Sequence, residues 1–146
     1  MKVQQHFSLL LTCCLLLCSG QLLPAQPLAV ADLKCEYLEN PLGIDATAPR
    51  LGWKMQTVRE GARQVAFQVQ AASTPEKLAA GEADLWDTGK QNSIQSAHMR
   101  YAGKPLASRQ QCFWRVKVWD EAGNESPWSP AAYWEMALLD AAEWQA

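Results

Sequence analysis

The stretch QCFWRVKVWD at residues 111–120, followed by SPWS at residues 126–129, decides the fold class of this chain. Its side chains alternate with a period of two, as expected of a β-strand with one buried face. The predicted inward face consists of Cys112, Trp114, Val116 and Val118. The Gly-containing residues 121–124 then predict a hairpin turn, and residues 130–137 predict a closing strand.

Similar alternating runs extend from this stretch toward the N-terminus. Strands are predicted around residues 33–37, 51–56 and 65–71, with weaker ones at 85–88 and 96–101. The inward side chains of the three stronger runs are Leu33, Cys35, Tyr37, Leu51, Trp53, Met55, Val65, Phe67, Val69 and Ala71. Pro75, preceded by Ser73 or Thr74, predicts one or two helical turns that Gly81 ends.

About seven short strands with frequent turn signals predict an all-β, antiparallel sandwich. Long helical periods, which a parallel βαβ architecture requires, do not occur in the sequence. The side chains expected to form the structural core are Trp53, Phe67, Trp114, Val116 and Val118.

The first 31 residues predict a secretory signal peptide. Lys2 is followed by an uncharged apolar run at residues 7–18 and then by small and helix-breaking residues. A membrane span would need about 20 apolar residues, so this run is too short for one. Cleavage is expected after Ala25 or after Ala31, which places the mature chain in the periplasm or at the cell surface.

Charge and cysteine content narrow the possible partners. Without the first 31 residues the chain has 12 basic and 15 acidic residues, a net charge of −3. This mild acidity argues against binding of nucleic acid or of an anionic membrane surface. Cys35 and Cys112 remain in an oxidising compartment, where they are either buried small hydrophobic residues or a disulfide between the two sheets.

The sequence offers little for catalysis. His98 is the only histidine left after the signal, so no histidine-rich metal set and no Ser–His–Asp triad can be complete. Two carboxylate pairs have the composition that glycoside hydrolysis requires, Asp84 with Asp87 and Asp120 with Glu121. Asp120 and Glu121 suit turn formation and solvation at a hairpin end, and Asp84 and Asp87 flank a weak edge strand. A domain of this size closes no deep pocket, and so we predict no catalytic residue, no metal and no cofactor.

The chain contains seven tryptophans, which could stack on sugar rings. Trp53 and Trp114 belong to the predicted core, and Trp128 is expected to lie across the cations of Arg115 and Lys117. The tryptophans that remain as candidate binding residues are Trp86, Trp134 and Trp144. Contact with a neighbouring domain accounts for these three at least as well as sugar stacking does.

The segment at residues 113–129 resembles the last hairpin of a fibronectin type III domain. Other stretches are similar to the N-terminal domain of bacterial α-L-rhamnosidases, namely residues 33–45, 48–53, 84–89 and 101–106. Together they cover nearly all of the mature chain. The resemblance implies an immunoglobulin-like or fibronectin type III β-sandwich at residues 32–139, with residues 140–146 starting the linker to a following domain.

In that family further β-domains and an (α/α)₆ barrel follow, and the barrel carries the acidic residues of an inverting mechanism. The resemblance therefore implies a non-catalytic accessory domain of an enzyme that acts on rhamnosylated glycans. Its partners would be the following β-domain and the catalytic barrel of the same polypeptide. The alternative is an autonomous module at the cell surface that binds carbohydrate or protein, which the number of tryptophans favours.

Overall fold

The computed structural model describes residues 28–144 and confirms the antiparallel β-sandwich. Its strands are β1 (Ala29–Cys35), β2 (Arg50–Gln56), β3 (Gln64–Ala72), β4 (Trp86–Asp87), β5 (Gln91–Asn92), β6 (Met99–Arg100), β7 (Gln111–Asp120) and β8 (Ala132–Glu135). A short helix α1 (Pro75–Ala79) and a 3₁₀ helix (Ala141–Glu143) complete the fold, and none of the described helices is long and apolar enough to cross a membrane. Most of the predicted signal peptide lies outside the described residues.

Three strands form the first sheet, in the order β1-β2-β6. The second sheet has the order β4-β3-β7-β8, and β5 also pairs with β3. Between β1 and β2 the chain crosses from the first sheet to the second, where Ile44 forms a parallel bridge with Met136 just after β8. This crossing segment covers the outer edge of β8, which would otherwise present unpaired backbone groups.

The core lies between the sheets, and the alternation of β7 supplies its centre. Trp114, Val116 and Val118 are fully buried, and Phe67 lies beside Val118 on the neighbouring strand β3. Trp53 of the first sheet packs on Phe67, with ring centroids 5.2 Å apart. The indole Nε1 of Trp53 donates to Gln64 Oε1 at 3.0 Å, so this buried polar atom is satisfied. The five side chains expected to form the core all lie there.

The SPWS stretch pairs with β7 through two buried serines. Ser126 and Ser129 donate their backbone N–H groups to carbonyls of β7, and their hydroxyls accept hydrogen bonds from N–H groups of the same strand. A proline follows each serine and has no N–H to donate. The serine hydroxyls thus satisfy β7 along a length where no regular strand pairs with it.

Helix α1 begins as the sequence predicts. Thr74 is the N-cap, its Oγ1 accepts a hydrogen bond from the backbone N of Lys77 at 3.3 Å, and Pro75 occupies the first helical position. Leu78 is the buried residue that attaches the helix to the sandwich.

Three local predictions were wrong. β1 begins at Ala29, before the predicted strand start at residue 33, and contains the buried Val30. Tyr37 does not continue the inward face of β1, because the chain turns at Glu36 and leaves the Tyr37 side chain 57% exposed. Val65 is 40% exposed, because a bulge between Gln64 and Ala66 shifts the register of β3 and turns its side chain outward.

Candidate functional site

The prediction that Trp134 is a surface binding residue was wrong. Trp134 is opposite Cys112 in the β7–β8 pair, which directs its side chain between the sheets, and it is 0% exposed. Its ring meets those of Tyr101 at 5.5 Å and Trp114 at 6.4 Å, and its Nε1 donates to Met136 Sδ at 3.3 Å. A side chain enclosed on all sides can contact neither a sugar nor another domain.

Trp86 extends the same aromatic cluster toward the surface. Its ring makes an edge-to-face contact with Tyr101, with centroids 5.2 Å apart, and the side chain is half-buried against the core. Gly103 packs so closely on it that an added Cβ would lie 2.6 Å from the Cβ of Trp86. Tyr101 and Gly103 therefore cover much of the Trp86 side chain, and only a small part of its surface remains for contact with a partner.

Trp144 is the one of the three candidates that is freely exposed, at 71%. The C-terminal segment (residues 137–144) that carries it is nevertheless held in place. Ser108 Oγ accepts from the backbone N of Leu139 at 2.9 Å and donates to the Glu143 carboxylate, and Arg109 N donates to Ala137 O. Leu139 is another exposed apolar side chain of this segment. The structure therefore presents Leu139 and Trp144 on an anchored segment.

The outer face of the second sheet contains the predicted cation–aromatic contacts. The guanidinium of Arg115 lies 4.4 Å and the ammonium of Lys117 lies 4.8 Å from the Trp128 ring centroid, as predicted. Lys90 lies over Trp119 in the same way, at 4.5 Å. Each of these indole rings is therefore already in contact with one or two cations of the same sheet.

The first candidate carboxylate pair is committed to local structure. Asp84 accepts hydrogen bonds from Ser73 and from Lys77, whose ammonium lies 2.7 Å away and holds the pKa of that carboxyl well below its usual range. Burial acts to raise the pKa of Asp87, but hydrogen bonds from Gln70 and Gln68 outweigh it and lower that pKa. Neither carboxyl would be protonated near neutral pH, as a general acid must be.

The second candidate pair closes the hairpin after β7. Asp120 accepts from the side chain and backbone of Asn124 and from Arg59, and these bonds lower its pKa to about 2. Glu121 accepts from Arg59 and from the backbone N of Arg63, which likewise lowers its pKa to about 2. Both carboxylates serve the turn, as the sequence analysis expects of them.

Cys35 and Cys112 are both buried, and both are free thiols in this structure, so the alternative of a disulfide between the sheets is not realised. Burial raises the pKa of Cys35 to about 12 and that of Cys112 further still, which makes either thiol a poor nucleophile. Among residues 28–144, no group of three His, Cys, Asp or Glu side chains is placed to hold a metal ion.

A small cleft of about 190 Å³ lies on the outer face of the first sheet. We name it the Gly52 cleft, because this residue of β2 lies at its base and contributes no side chain. The residues that line it include Asp32, Lys34, Tyr37, Arg50, Lys54 and His98. Sequence reasoning missed this site, since these residues come from three separate segments and Tyr37 was assigned to the core.

A model of the family described as "Rha78A-like, N-terminal immunoglobulin domain" matches residues 30–140. Over 119 residues the chain is 44% identical to an α-L-rhamnosidase of Streptomyces avermitilis, which covers 82% of this chain and 11% of that protein. An α-L-rhamnosidase of Formosa agariphila is 41% identical over 111 residues, covering 76% of this chain and 12% of that protein.

Solved structures agree with these relatives. The α-L-rhamnosidase from Dictyoglumus thermophilum matches with a TM-score of 0.79 and 35% identity, over 84% of this chain and 14% of that one. The Streptomyces avermitilis α-L-rhamnosidase complexed with L-rhamnose matches with a TM-score of 0.77 and 44% identity, over 82% and 11%. The chain spans only 11% to 14% of the length of these relatives. It belongs to the Rha78A-like family of N-terminal immunoglobulin domains, whose matched relatives are α-L-rhamnosidases.

Proposed function

We propose that this chain is a non-catalytic N-terminal accessory domain of an α-L-rhamnosidase that acts on rhamnosylated glycans by inversion. The observation that carries the proposal is the state of the candidate carboxylates. All four have lowered pKa values and are hydrogen-bonded within the domain, so none of the four is suited to donate a proton to a glycosidic oxygen. The acid and the base of the reaction would then lie in a following catalytic barrel of the same polypeptide.

The role of the domain in that enzyme is structural. The C-terminal segment is anchored through Ser108 and exposes Leu139 and Trp144, so these side chains are available to pack on the β-domain that follows. Contacts of this kind between domains bury roughly 600–1,500 Å². The apolar N-terminal run at residues 7–18 supports export of the polypeptide to the periplasm or the cell surface.

The absence of catalysis can be tested directly. The purified protein is incubated with p-nitrophenyl α-L-rhamnoside beside the Streptomyces avermitilis relative as a positive control. We expect no release of p-nitrophenol by this chain. Turnover that co-purifies with the protein and disappears on substitution of Asp84, Asp87, Asp120 or Glu121 by the amide would refute the proposal.

The docking role is tested in a chimera. This chain replaces the N-terminal domain of the Streptomyces avermitilis relative, and the melting temperature is compared with those of the intact enzyme and of a form without the domain. We expect the chimera to recover most of the stability that the deletion removes. Trp144→Ala should reduce that recovery, because a buried interface tryptophan contributes about 2 kcal/mol or more. Ile94→Ala, at the opposite end of the sandwich, is the matched control; equal effects of the two variants would contradict docking through Trp144.

A further inference from the structure

The Gly52 cleft is shaped by a missing side chain. Gly52 faces outward from β2, between the inward-facing Leu51 and Trp53, and it is paired with Lys34 of β1. On its other side the backbone N of Trp53 donates to Ser96 O at 2.9 Å, which fixes the segment that forms the opposite wall. A Cβ built on Gly52 would lie 3.5 Å from Ser96 O, an ordinary contact. The strand therefore has room for a Cβ at this position, and the atoms of a larger side chain would extend from it into the cleft.

The wall of the cleft presents an exposed aromatic ring that is held in position. The hydroxyl of Tyr37 is 3.2 Å from Nδ1 of His98, and the two rings meet edge to face with centroids 5.6 Å apart. The guanidinium of Arg50 lies 4.8 Å from the Tyr37 ring centroid and is itself held by two oxygens of Glu36. A ring that is fixed before binding loses little conformational entropy when a ligand stacks on it.

Backbone strain is concentrated at the same place. Of the six described non-glycine residues with positive φ, four lie in or beside the cleft: Asp32 (54°), Glu36 (47°), Tyr37 (67°) and His98 (56°). Side chains such as Tyr, Glu and His rarely adopt this conformation, and it persists only where the surrounding structure imposes it. Such residues are typical of ligand-binding positions.

The cleft also differs in charge from the rest of the chain. Lys34, Arg50 and Lys54 line the cleft together with one carboxylate, Asp32, which is bound by Lys54 at 2.6 Å and by Lys34 at 3.6 Å. Glu36 lies beside the cleft and is bound by Arg50 at 2.6 Å. Arg100 is the cross-strand partner of Arg50 in the β2–β6 pair and adds a fourth cation. Four cations against two carboxylates leave a local excess of positive charge in a mature chain whose expected net charge is negative.

We propose that the Gly52 cleft is a binding site for an acidic saccharide, with one sugar ring against Tyr37 and its uronate carboxylate toward Lys34 and Lys54. A sugar ring presents C–H groups to an aromatic face, and the carboxylate matches the positive rim of the cleft. Asp32 and His98 lie within the same cleft as hydrogen-bonding partners for hydroxyl groups. The volume is below the roughly 300–1,000 Å³ of enclosed ligand pockets, so the site would hold a single residue of a longer glycan.

The test is a titration followed by nuclear magnetic resonance of the ¹⁵N-labelled protein. The first probe is an oligosaccharide of alternating rhamnose and galacturonic acid, and the second is the same oligosaccharide after reduction of its carboxylates to alcohols. We expect the acidic probe to shift the amide signals of Gly52, Tyr37 and His98 with a dissociation constant of about 1 mM, since the contact area is small. The reduced probe should bind at least about tenfold more weakly.

The rhamnose in these probes rests on the proposed function, whereas the uronate rests on the charges of the cleft. A third probe, an oligomer of galacturonic acid alone, separates the two. If it binds the cleft while the purified chain or its chimera fails the tests of an accessory domain, the saccharide site stands without the enzyme assignment. If none of the three probes binds at a concentration about tenfold above the expected dissociation constant, the saccharide site is excluded and the accessory role is unaffected.

Two variants connect binding to the cleft. Gly52→Val fills the cleft with a side chain that suits a strand, and Lys54→Gln removes one cation of the rim; both should weaken binding of the acidic probe by about tenfold. Lys104→Gln, an exposed lysine outside the cleft, should bind as the original protein does. Thermal unfolding confirms that each variant is folded. Unchanged affinity in Gly52→Val, or equal binding of a polyglutamate peptide, would overturn the proposal, since the site would then not be this cleft or would not recognise sugar.

Discussion

Val116 and Ser129 are joined by two hydrogen bonds in opposite directions. The backbone N of Ser129 donates to Val116 O at 2.8 Å, and the backbone N of Val116 donates to the hydroxyl of Ser129 at 3.0 Å. Both residues are buried, so no solvent can replace either partner. The Ser129 hydroxyl thus accepts the hydrogen bond from Val116 N that a backbone carbonyl would accept in a regular pair of strands.

Removal of this hydroxyl should destabilise the domain. We expect Ser129→Ala to lower the free energy of unfolding by about 1–3 kcal/mol, because the N–H of Val116 would be buried without an acceptor. Urea denaturation followed by tryptophan fluorescence measures the change. Ser93→Ala, which removes a partly exposed hydroxyl that accepts only from Gln95 N, is the control and should change stability little. If Ser129→Ala and Ser93→Ala lower the free energy of unfolding equally, the hydrogen bond from Val116 N to the Ser129 hydroxyl does not stabilise the domain more than an exposed one does.

Trp134 is buried and Trp144 is exposed, so replacing each by alanine should change the stability of the isolated chain by very different amounts. Trp134→Ala should lower the free energy of unfolding by about 3–5 kcal/mol, because it leaves a cavity among Tyr101, Trp114 and Met136. Trp144→Ala should change the stability of the isolated chain by less than about 0.5 kcal/mol. Thermal and urea unfolding of both variants provide the measurement. A mild effect of Trp134→Ala would contradict its position in the core.

Asp120 makes stability depend on pH in the acid range. Its pKa is lowered to about 2 in the folded protein, first by the Asn124 side chain and further by Arg59, against an ordinary value of 3.8. Its contribution is therefore present above pH 3.8 and is lost as the pH falls toward 2. Asp120→Asn should be less stable at pH 6 but should lose less stability between pH 4 and pH 2.

Urea midpoints at intervals of half a pH unit would show this difference in slope. Asp45→Asn, an exposed aspartate in the loop before β2, is the control and should keep the slope of the original protein. Identical slopes for Asp120→Asn and the original protein would show that Asp120 does not cause the acid sensitivity.

The two core cysteines should resist alkylation while the protein is folded. With a pKa of about 12, roughly one part in ten thousand of Cys35 is thiolate at pH 8, and Cys112 is still less ionised. Mass spectrometry after iodoacetamide treatment should show no adduct on the native mature chain and two adducts in denaturant without reductant. Two adducts only after reduction would reveal the disulfide that the structure lacks.

The position of β1 favours one of the two expected cleavage sites. Leu28 and Val30 are buried in the core, and Ala31 pairs with Lys54, so cleavage after Ala31 would remove part of a strand. We expect the exported protein to begin at Gln26, after Ala25, as read by N-terminal sequencing. A mature N-terminus at Asp32 would contradict this expectation, and a chain produced from Asp32 onward should unfold at a lower temperature than one produced from Gln26.

Periodicity predicted the fold where a strand is long and has one buried face. β7 needed no further information, because ten residues alternate without interruption, and the N-cap and proline of α1 identified its first turn. β5 was missed because Gln91 and Asn92 are exposed polar residues with no apolar alternation, and only pairing with β3 makes them a strand. Val65 was misassigned because a bulge changes the face of a residue without leaving a clear mark in the sequence.

The sites were less predictable than the fold. Trp134 was considered a surface residue because its short run leaves the facing direction open, and its pairing with Cys112 decides that direction. The Gly52 cleft depends on positive φ angles at Tyr37 and His98, which no periodicity in the sequence encodes. Composition did limit the histidines, since His98 is the only one after residue 31, whereas the positions of the carboxylates of Asp84, Asp87, Asp120 and Glu121 became known only from their hydrogen bonds in the fold.

The crossing segment between β1 and β2 has a mechanical consequence. Its parallel pairing with β8 includes three hydrogen bonds, from Ile44 N to Glu135 O at 2.9 Å, from Glu135 N to Pro41 O at 3.0 Å and from Ala137 N to Ile44 O at 2.8 Å. Because the two segments are parallel, sliding one past the other would load all three bonds together and not one after another. Tension from the N-terminal side reaches this patch only through β1 and its pairing with β2, so the patch can hold the end of β8 in place after β1 has been pulled away.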